Sequence, residues 1–146
     1  MNRIVLLRIT LILSVSILVL FASGSALLVT PIFGNETLPL GNLLVWLGFI
    51  SISTLFYCLD KEIYSGQTKV HGRYKMVFQV LIGLSLIWGF IAYGLSGNTQ
   101  FNFINEPKIG PFLASNIYWI LIYIMVLSPI LTFIIYKLHA QLISKN

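Results

Sequence analysis

The chain has 146 residues, of which 58% are hydrophobic and only 9% charged. Soluble domains carry about 25% charged residues, so most of this chain is not built to face water, and its length suits one domain. The formal charge of +5 does not mark a nucleic-acid binder, because the basic residues stand at the ends of apolar stretches and form no dense basic run.

Charged residues divide the chain into uncharged stretches at 9–35, 37–59, 76–105 and 109–136. A bilayer core of about 30 Å takes roughly 20 apolar residues as helix. Each stretch is long enough to span once and none is long enough to span twice. Trimmed at the turn formers, the predicted helices cover 4–22, 40–59, 74–95 and 117–138. Unpaired backbone amides are too costly in hydrocarbon for anything but helices or a closed barrel. Barrel strands alternate every second residue, and runs such as Val80-Leu81-Ile82 do not. The expected fold is an all-α membrane protein with four transmembrane helices in an up-down-up-down bundle.

The first helix pairs Thr10 with Ser14 and carries Arg8 about one turn inside, where its side chain can snorkel to the headgroups. Residues 1–26, ending in Ala22-Ser23-Gly24-Ser25-Ala26, also resemble a secretory signal with a small-residue cleavage site, which would leave three helices. Against that, apolar residues resume at Leu27-Leu28-Val29 and Arg8 interrupts the basic start. Pro31, Gly34 and Pro39 punctuate the first connection, where Asn35-Glu36-Thr37 matches a glycosylation acceptor, a tripeptide common by chance. The second helix offers Gly41, Gly48 and Ser51 on one stripe. It ends near Cys58, the only cysteine, which excludes an internal disulfide and reads as a small apolar residue.

The second connection, from Asp60-Lys61-Glu62 to Lys75, mixes both signs. It is expected to be a solvated loop able to meet anionic headgroups. The third helix places Ser85, Gly89, Ala92 and Ser96 at i, i+4, i+7 and i+11, a face for close helix packing. Gln79 is the most polar side chain inside a span and is expected to hydrogen-bond across helices. The third connection exposes apolar residues in Phe101-Asn102-Phe103-Ile104-Asn105 and from Ile109 to Leu113, suited to the membrane interface or to a partner. The fourth helix opens with Tyr118 and Trp119 at one interface and ends with Tyr136 at the other. Ser128 and Thr132 pair on it, and Pro129 should kink it, with the Ser128 hydroxyl available to a freed carbonyl.

Of the nine basic residues, Lys108 alone falls in the third connection and none falls in the first. The others belong to the two ends and the second connection. The positive-inside rule therefore puts both termini in the cytoplasm.

The four acids, Glu36, Asp60, Glu62 and Glu106, all lie in connections or at their edges. A proton-coupled transporter normally carries an intramembrane carboxylate or histidine, so a proton antiporter acting alone is disfavoured. His71 and His139 lie at helix ends, where solvated roles are expected rather than haem or metal ligation. No nucleophile–base pair, phosphate-binding loop or Cys/His ligand spacing stands in the sequence, and no enzyme activity or cofactor is expected. The expectation is a protein that works by contact in the lipid bilayer with another integral membrane protein, as a transient inhibitor or as an accessory or assembly subunit. A small channel or transporter is a further alternative. The candidate packing or partner contacts are Gly48, Ser51, Gln79, Ser85, Gly89, Trp119, Ser128 and Pro129.

The layout resembles the four-helix immunity proteins against pore-forming colicins: a small basic chain, both ends inside, a charged inner loop and modest outer loops. The stretch Asn116-Ile117-Tyr118-Trp119-Ile120-Leu121-Ile122-Tyr123 is similar to that family's last span, and the Lys61-Glu62 pair after the second helix is loosely similar too. The long apolar first helix departs from several members. The resemblance implies a bacterial inner-membrane protein that meets the hydrophobic helical hairpin of an inserted toxin through its own spans. On that reading the Ser85/Gly89 face and Trp119 matter most.

Overall fold

A computed structural model describes residues 2–32, 38–103 and 110–143. The Asn35-Glu36-Thr37 acceptor, Ile104, Asn105, Glu106, Lys108, Ile109 and Lys145 lie outside the described residues. The elements are α1 (Arg3–Ala22), a 3-10 turn (Ala26–Val29), α2 (Leu40–Leu59), the short α3 (Lys61–Ser65), α4 (Lys69–Ser96) and α5 (Pro111–Ile143). Among the described residues, four helices, α1, α2, α4 and α5, are long and apolar enough to cross a membrane.

Local chemistry explains the boundaries. The Asn2 side chain accepts from the Ile4 amide and opens α1. Asp60 accepts from the amides of Glu62 and Ile63 and opens α3, and Thr68 accepts from the His71 amide and opens α4. Such side-chain acceptors satisfy amides that have no partner in a first turn. Gly66 and Gly97 end α3 and α4 at φ of 67° and 72°, the left-handed region that glycine enters without strain. α1 and α2 match the predicted spans, whereas α4 and α5 extend beyond theirs. Pro111, expected to be a turn marker, is the first residue of α5, where its missing N–H costs nothing. α5 then runs unbroken through Pro129.

The second connection corrects the expectation of a solvated loop. α3 folds back, and Ile63 is fully buried against Phe78 and Tyr136. Ile63 anchors the segment, and the neighbouring Tyr64 adds a ring contact with Tyr57 at 5.2 Å.

α2 is the hub of the bundle, packing along α1, α4 and α5. Its contacts with α1 and α4 are antiparallel and those with α5 parallel, as up-down-up-down topology requires. On the α1 side, the Ser51 hydroxyl donates to the Thr10 carbonyl at 2.8 Å. It lies 2.8 Å from the Ser14 hydroxyl, and since Ser51 has a single proton to give, Ser14 donates to it. On the α4 side, the Trp46 indole N–H donates to the Ser85 carbonyl at 2.8 Å, and the Ser53 and Ser85 hydroxyls meet at 3.3 Å. A Cβ on Gly89 would stand 2.7–2.9 Å from the Trp46 ring carbons, so only glycine admits the ring there. Ser85, Gly89, Ala92 and Ser96 are all buried, as the spacing predicted.

Two expectations are overturned. Gln79 is exposed on the outer face of α4 and has no hydrogen-bond partner among the described residues. Phe78 takes the inward position at that level, fully buried, and the neighbouring residue is turned about 100° away. The Ser128 hydroxyl donates to the Ile124 carbonyl at 2.6 Å, not to the Met125 carbonyl that Pro129 leaves without its usual donor.

The charged end is tied together by polar contacts. The Arg3 guanidinium donates to the Cys58 carbonyl at 2.8 Å, placing a cation at the negative end of the α2 dipole. Lys137 Nζ meets Asp60 Oδ2 at 2.6 Å, and the Tyr136 hydroxyl lies 3.3 Å from both Asp60 Oδ1 and Glu62 Oε2. His71 Nε2 stands 3.1 Å from Glu62 Oε2, so His71 belongs to this cluster rather than to solvent. Its ring also meets Tyr136 edge-on. His139 is exposed, with Nδ1 3.3 Å from the Tyr74 hydroxyl.

Burial pushes the Asp60 carboxyl up. The Lys137 hydrogen bond, the amides of Ile63 and Glu62 and the Lys137 charge outweigh it and hold the group below its ordinary value of 3.8. A carboxyl held low in the fold adds stability that is complete above its unfolded value and fades as pH falls through the folded one. Melting in detergent micelles, followed by circular dichroism, should therefore show Asp60→Asn melting lower than the parent at neutral pH. The gap should close below about pH 4; a gap that persists at low pH would show that the charge is not its source. In the same assay, Gly89→Ala should cost about 1–3 kcal/mol, because the added methyl forces Trp46 off the Ser85 carbonyl.

Candidate functional site

α5 packs on α4 and α2, while α1 lies along another face of α2, and α1 and α5 share no packed seam. The reason is written on α2. Gly48 and Ser51 bring α1 close: a Cβ on Gly48 would already touch Ile17 at 3.7 Å. Trp46, Phe49 and Ser53 turn toward α4. Val45 and Ile52 fall between these faces and remain uncovered by a helix.

The result is a cavity of about 660 Å³, open to the side. α2 forms its floor with Val45, Gly48, Phe49 and Ile52. Ile17, Leu18 and Phe21 form the α1 wall, and Trp119, Ile122 and Val126 form the α5 wall. Phe101 and Phe103 cover one end, held there because the Asn42 amide donates to the Gln100 carbonyl at 2.9 Å and the Thr99 carbonyl at 3.4 Å. Toward the charged end, α5 comes onto α2 through the Phe56–Phe133 ring pair at 5.4 Å and the Lys137–Asp60 contact. The groove is therefore confined to the half of the bundle away from the charges.

Depth follows from register. Lys137 faces Asp60 across 77 positions, and Phe133 faces Phe56 in the same parallel register. The same offset sets Trp119 level with Asn42 and Pro129 level with Ile52. The groove thus runs about 15 Å along α2 at about 1.5 Å per residue.

Its polar groups are few. Ser14 is already bonded to Ser51. Tyr118 is only 9% exposed. Its ring packs on Phe103 at 5.0 Å and on Trp88 at 5.5 Å, and its hydroxyl has no hydrogen-bond partner among the described residues. The Trp88 indole N–H, deeper in the core, also lacks an acceptor among the described residues, and its ring meets Phe49 edge-on. Among the described residues, no three of His, Cys, Asp and Glu converge to hold a metal.

Of the residues singled out in the sequence, Gly48 and Trp119 line the groove. Ser51 lies on the α1–α2 seam and Ser85 and Gly89 on the α2–α4 seam. Gln79 lies outside the bundle, Pro129 is buried, and Ser128 bonds its own helix. Tyr118 is buried, because Phe101 and Phe103 fold over it. Asn42, Val45, Ile52 and Val126 were not singled out. An amide in the first turn of a span was the only signal that Asn42 ties the third connection down.

No family model, curated protein or solved structure matches this chain.

The two tryptophans at this end should behave oppositely. Trp88 is 1% exposed and Trp119 is 53% exposed. Trp88→Ala should destabilise by about 3–5 kcal/mol in denaturant titrations. Trp119→Ala should stay within about 0.5 kcal/mol of the parent, as expected of a groove wall rather than a core residue.

Proposed function

We propose that this chain is a non-enzymatic integral membrane protein that works by contact, taking a helix of another membrane protein against the open side between α1 and α5. The observation that carries this reading is the groove itself. Helices in lipid associate through close packing rather than through the hydrophobic effect. A bundle whose first and last helices stay apart presents a concave face with a glycine, Gly48, in its floor. Large rings stand at its rim: Phe21, Trp119, Phe101 and Phe103.

Immunity against a pore-forming bacteriocin is the specific form we favour. The stretch 116–123, which resembles the last span of the colicin immunity proteins, supplies Tyr118, Trp119 and Ile122 to the groove. On this reading the charged end faces the cytoplasm of a bacterial inner membrane. The partner is the apolar helical hairpin of the inserted toxin, which the groove holds before a pore opens.

The test is protection. Sensitive cells making the chain should survive one pore-forming bacteriocin out of a panel. Val126→Trp, which fills the groove, should lose that protection at unchanged membrane levels of the protein. A mild-detergent pull-down gives the opposing result: recovery at constant ratio with a set of larger membrane subunits would assign the chain to a permanent complex and end the immunity reading.

A further inference from the structure

We infer that, when no partner helix is present, the groove between α1 and α5 holds one acyl chain of a bilayer phospholipid from the leaflet opposite the charged end, with the lipid's ester carbonyl accepting from the Tyr118 hydroxyl. Dimensions support this first. The cavity of about 660 Å³ lies within the range of clefts that hold small ligands, about 300–1,000 Å³. One turn of helix with its side chains is already about 10–12 Å across, so a helix can rest on this groove but not sink into it. A flexible chain can fill it to the floor.

Depth is the second argument. α2 has 20 residues and so covers about 30 Å, the thickness of the hydrocarbon core. Asn42 stands in its first turn, and register places Trp119, and with it Tyr118, at that level. The groove descends from there to Ile52, about 15 Å, which is the reach of one leaflet's tails.

Polarity is the third. A phospholipid is polar at the ester level and apolar below it, and the groove is ordered the same way. The Tyr118 hydroxyl and the Asn42 side-chain carbonyl, which have no hydrogen-bond partner among the described residues, lie at the upper end. Below them stand Ile17, Ile52, Ile122 and Val126, with Ser14 spent on Ser51. The Tyr118 phenol has no acceptor among the described residues, and an ester carbonyl supplies one. Because the groove opens sideways, a lipid enters without crossing the protein.

The inference goes beyond the function proposed above and is measured without any partner, so either can fail alone. It gives the docking step a cost, since side chains that a seated helix sends into the groove must displace the chain.

The full-length protein would be reconstituted into vesicles of palmitoyl-oleoyl phosphatidylcholine, re-extracted in a mild maltoside and examined by native mass spectrometry. The parent should retain one phosphatidylcholine per chain. Val126→Trp should retain none, whereas Leu131→Trp, on the exposed outer face of α5, should retain it. Tyr118→Phe keeps the ring packing and should lower occupancy about two- to tenfold, the effect of one lost hydrogen bond. Circular dichroism verifies that each variant is folded. The proposal is overturned if the parent carries no lipid, if Val126→Trp carries as much as the parent, or if Tyr118→Phe leaves occupancy unchanged. Retention of oleic acid in place of the ester, when both are offered, would also overturn it.

Discussion

Hydrocarbon surrounds these helices with something as apolar as their own leucines, so burying leucine on leucine holds nothing together. What remains is close approach and hydrogen bonding, and both converge on α2. At Gly89 the missing Cβ lets Trp46 lie flat enough to donate to the Ser85 carbonyl. On another face of the same helix, Ser51 joins Thr10 and Ser14. These seams decide where α1 and α4 sit. The position of α5 then follows from α4, through the Trp88–Tyr118 and Tyr74–Tyr136 ring contacts. The gap between α1 and α5 is thus a consequence of two well-made seams elsewhere, and no residue needs to hold it open.

The two ends of the bundle divide the work. At the charged end, Asp60 caps α3, binds Lys137 and meets the Tyr136 hydroxyl, while Arg3 reaches the last carbonyls of α2. All the long helices except α4 are tied there by a charged side chain, and α4 joins through His71. Contacts between ionised partners are shorter and stronger than neutral ones, and at the edge of the membrane they do not carry the full penalty of burial in hydrocarbon. At the other end the connections are neutral among the described residues, and aromatic packing does the closing. The groove lies at that end, where opening it separates rings rather than ions.

The four spans and their packing stripes were legible because each has a one-dimensional signature. Charge interrupts an apolar run, and small residues recur at helical spacing. Ser85, Gly89, Ala92 and Ser96 needed only that. Gln79 misled because polarity says nothing about rotation: Phe78, one position earlier, occupied the inward direction. α3 escaped because Ile63 and Tyr64 make too short an apolar stretch to carry a periodic signal, and the burial of Ile63 depends on Phe78 and Tyr136 being brought beneath it from other helices. The groove was less legible still. Val45, Ile52, Ile122 and Val126 look like any lipid-facing residues, and only the angular placement of α1 and α5 around α2 makes them a site.

On the proposed function, that placement also bears on how a chain of this size can be selective. A closed four-helix bundle offers lipid-facing ridges, which resemble those of every other membrane protein. This bundle offers a concavity whose shape is set from three sides by different means. α1 is positioned by hydroxyl bonds to α2, α5 by aromatic packing on α4, and the cover of Phe101 and Phe103 by the Asn42 amide. An occupant must fit all three at once, and a change of one methylene in any of them alters the fit by an amount comparable with a hydrogen bond. Specificity in hydrocarbon has few charges to draw on, since an unpaired one is expelled to the headgroups. Shape is what remains, and the open side of α2 is where this chain has it.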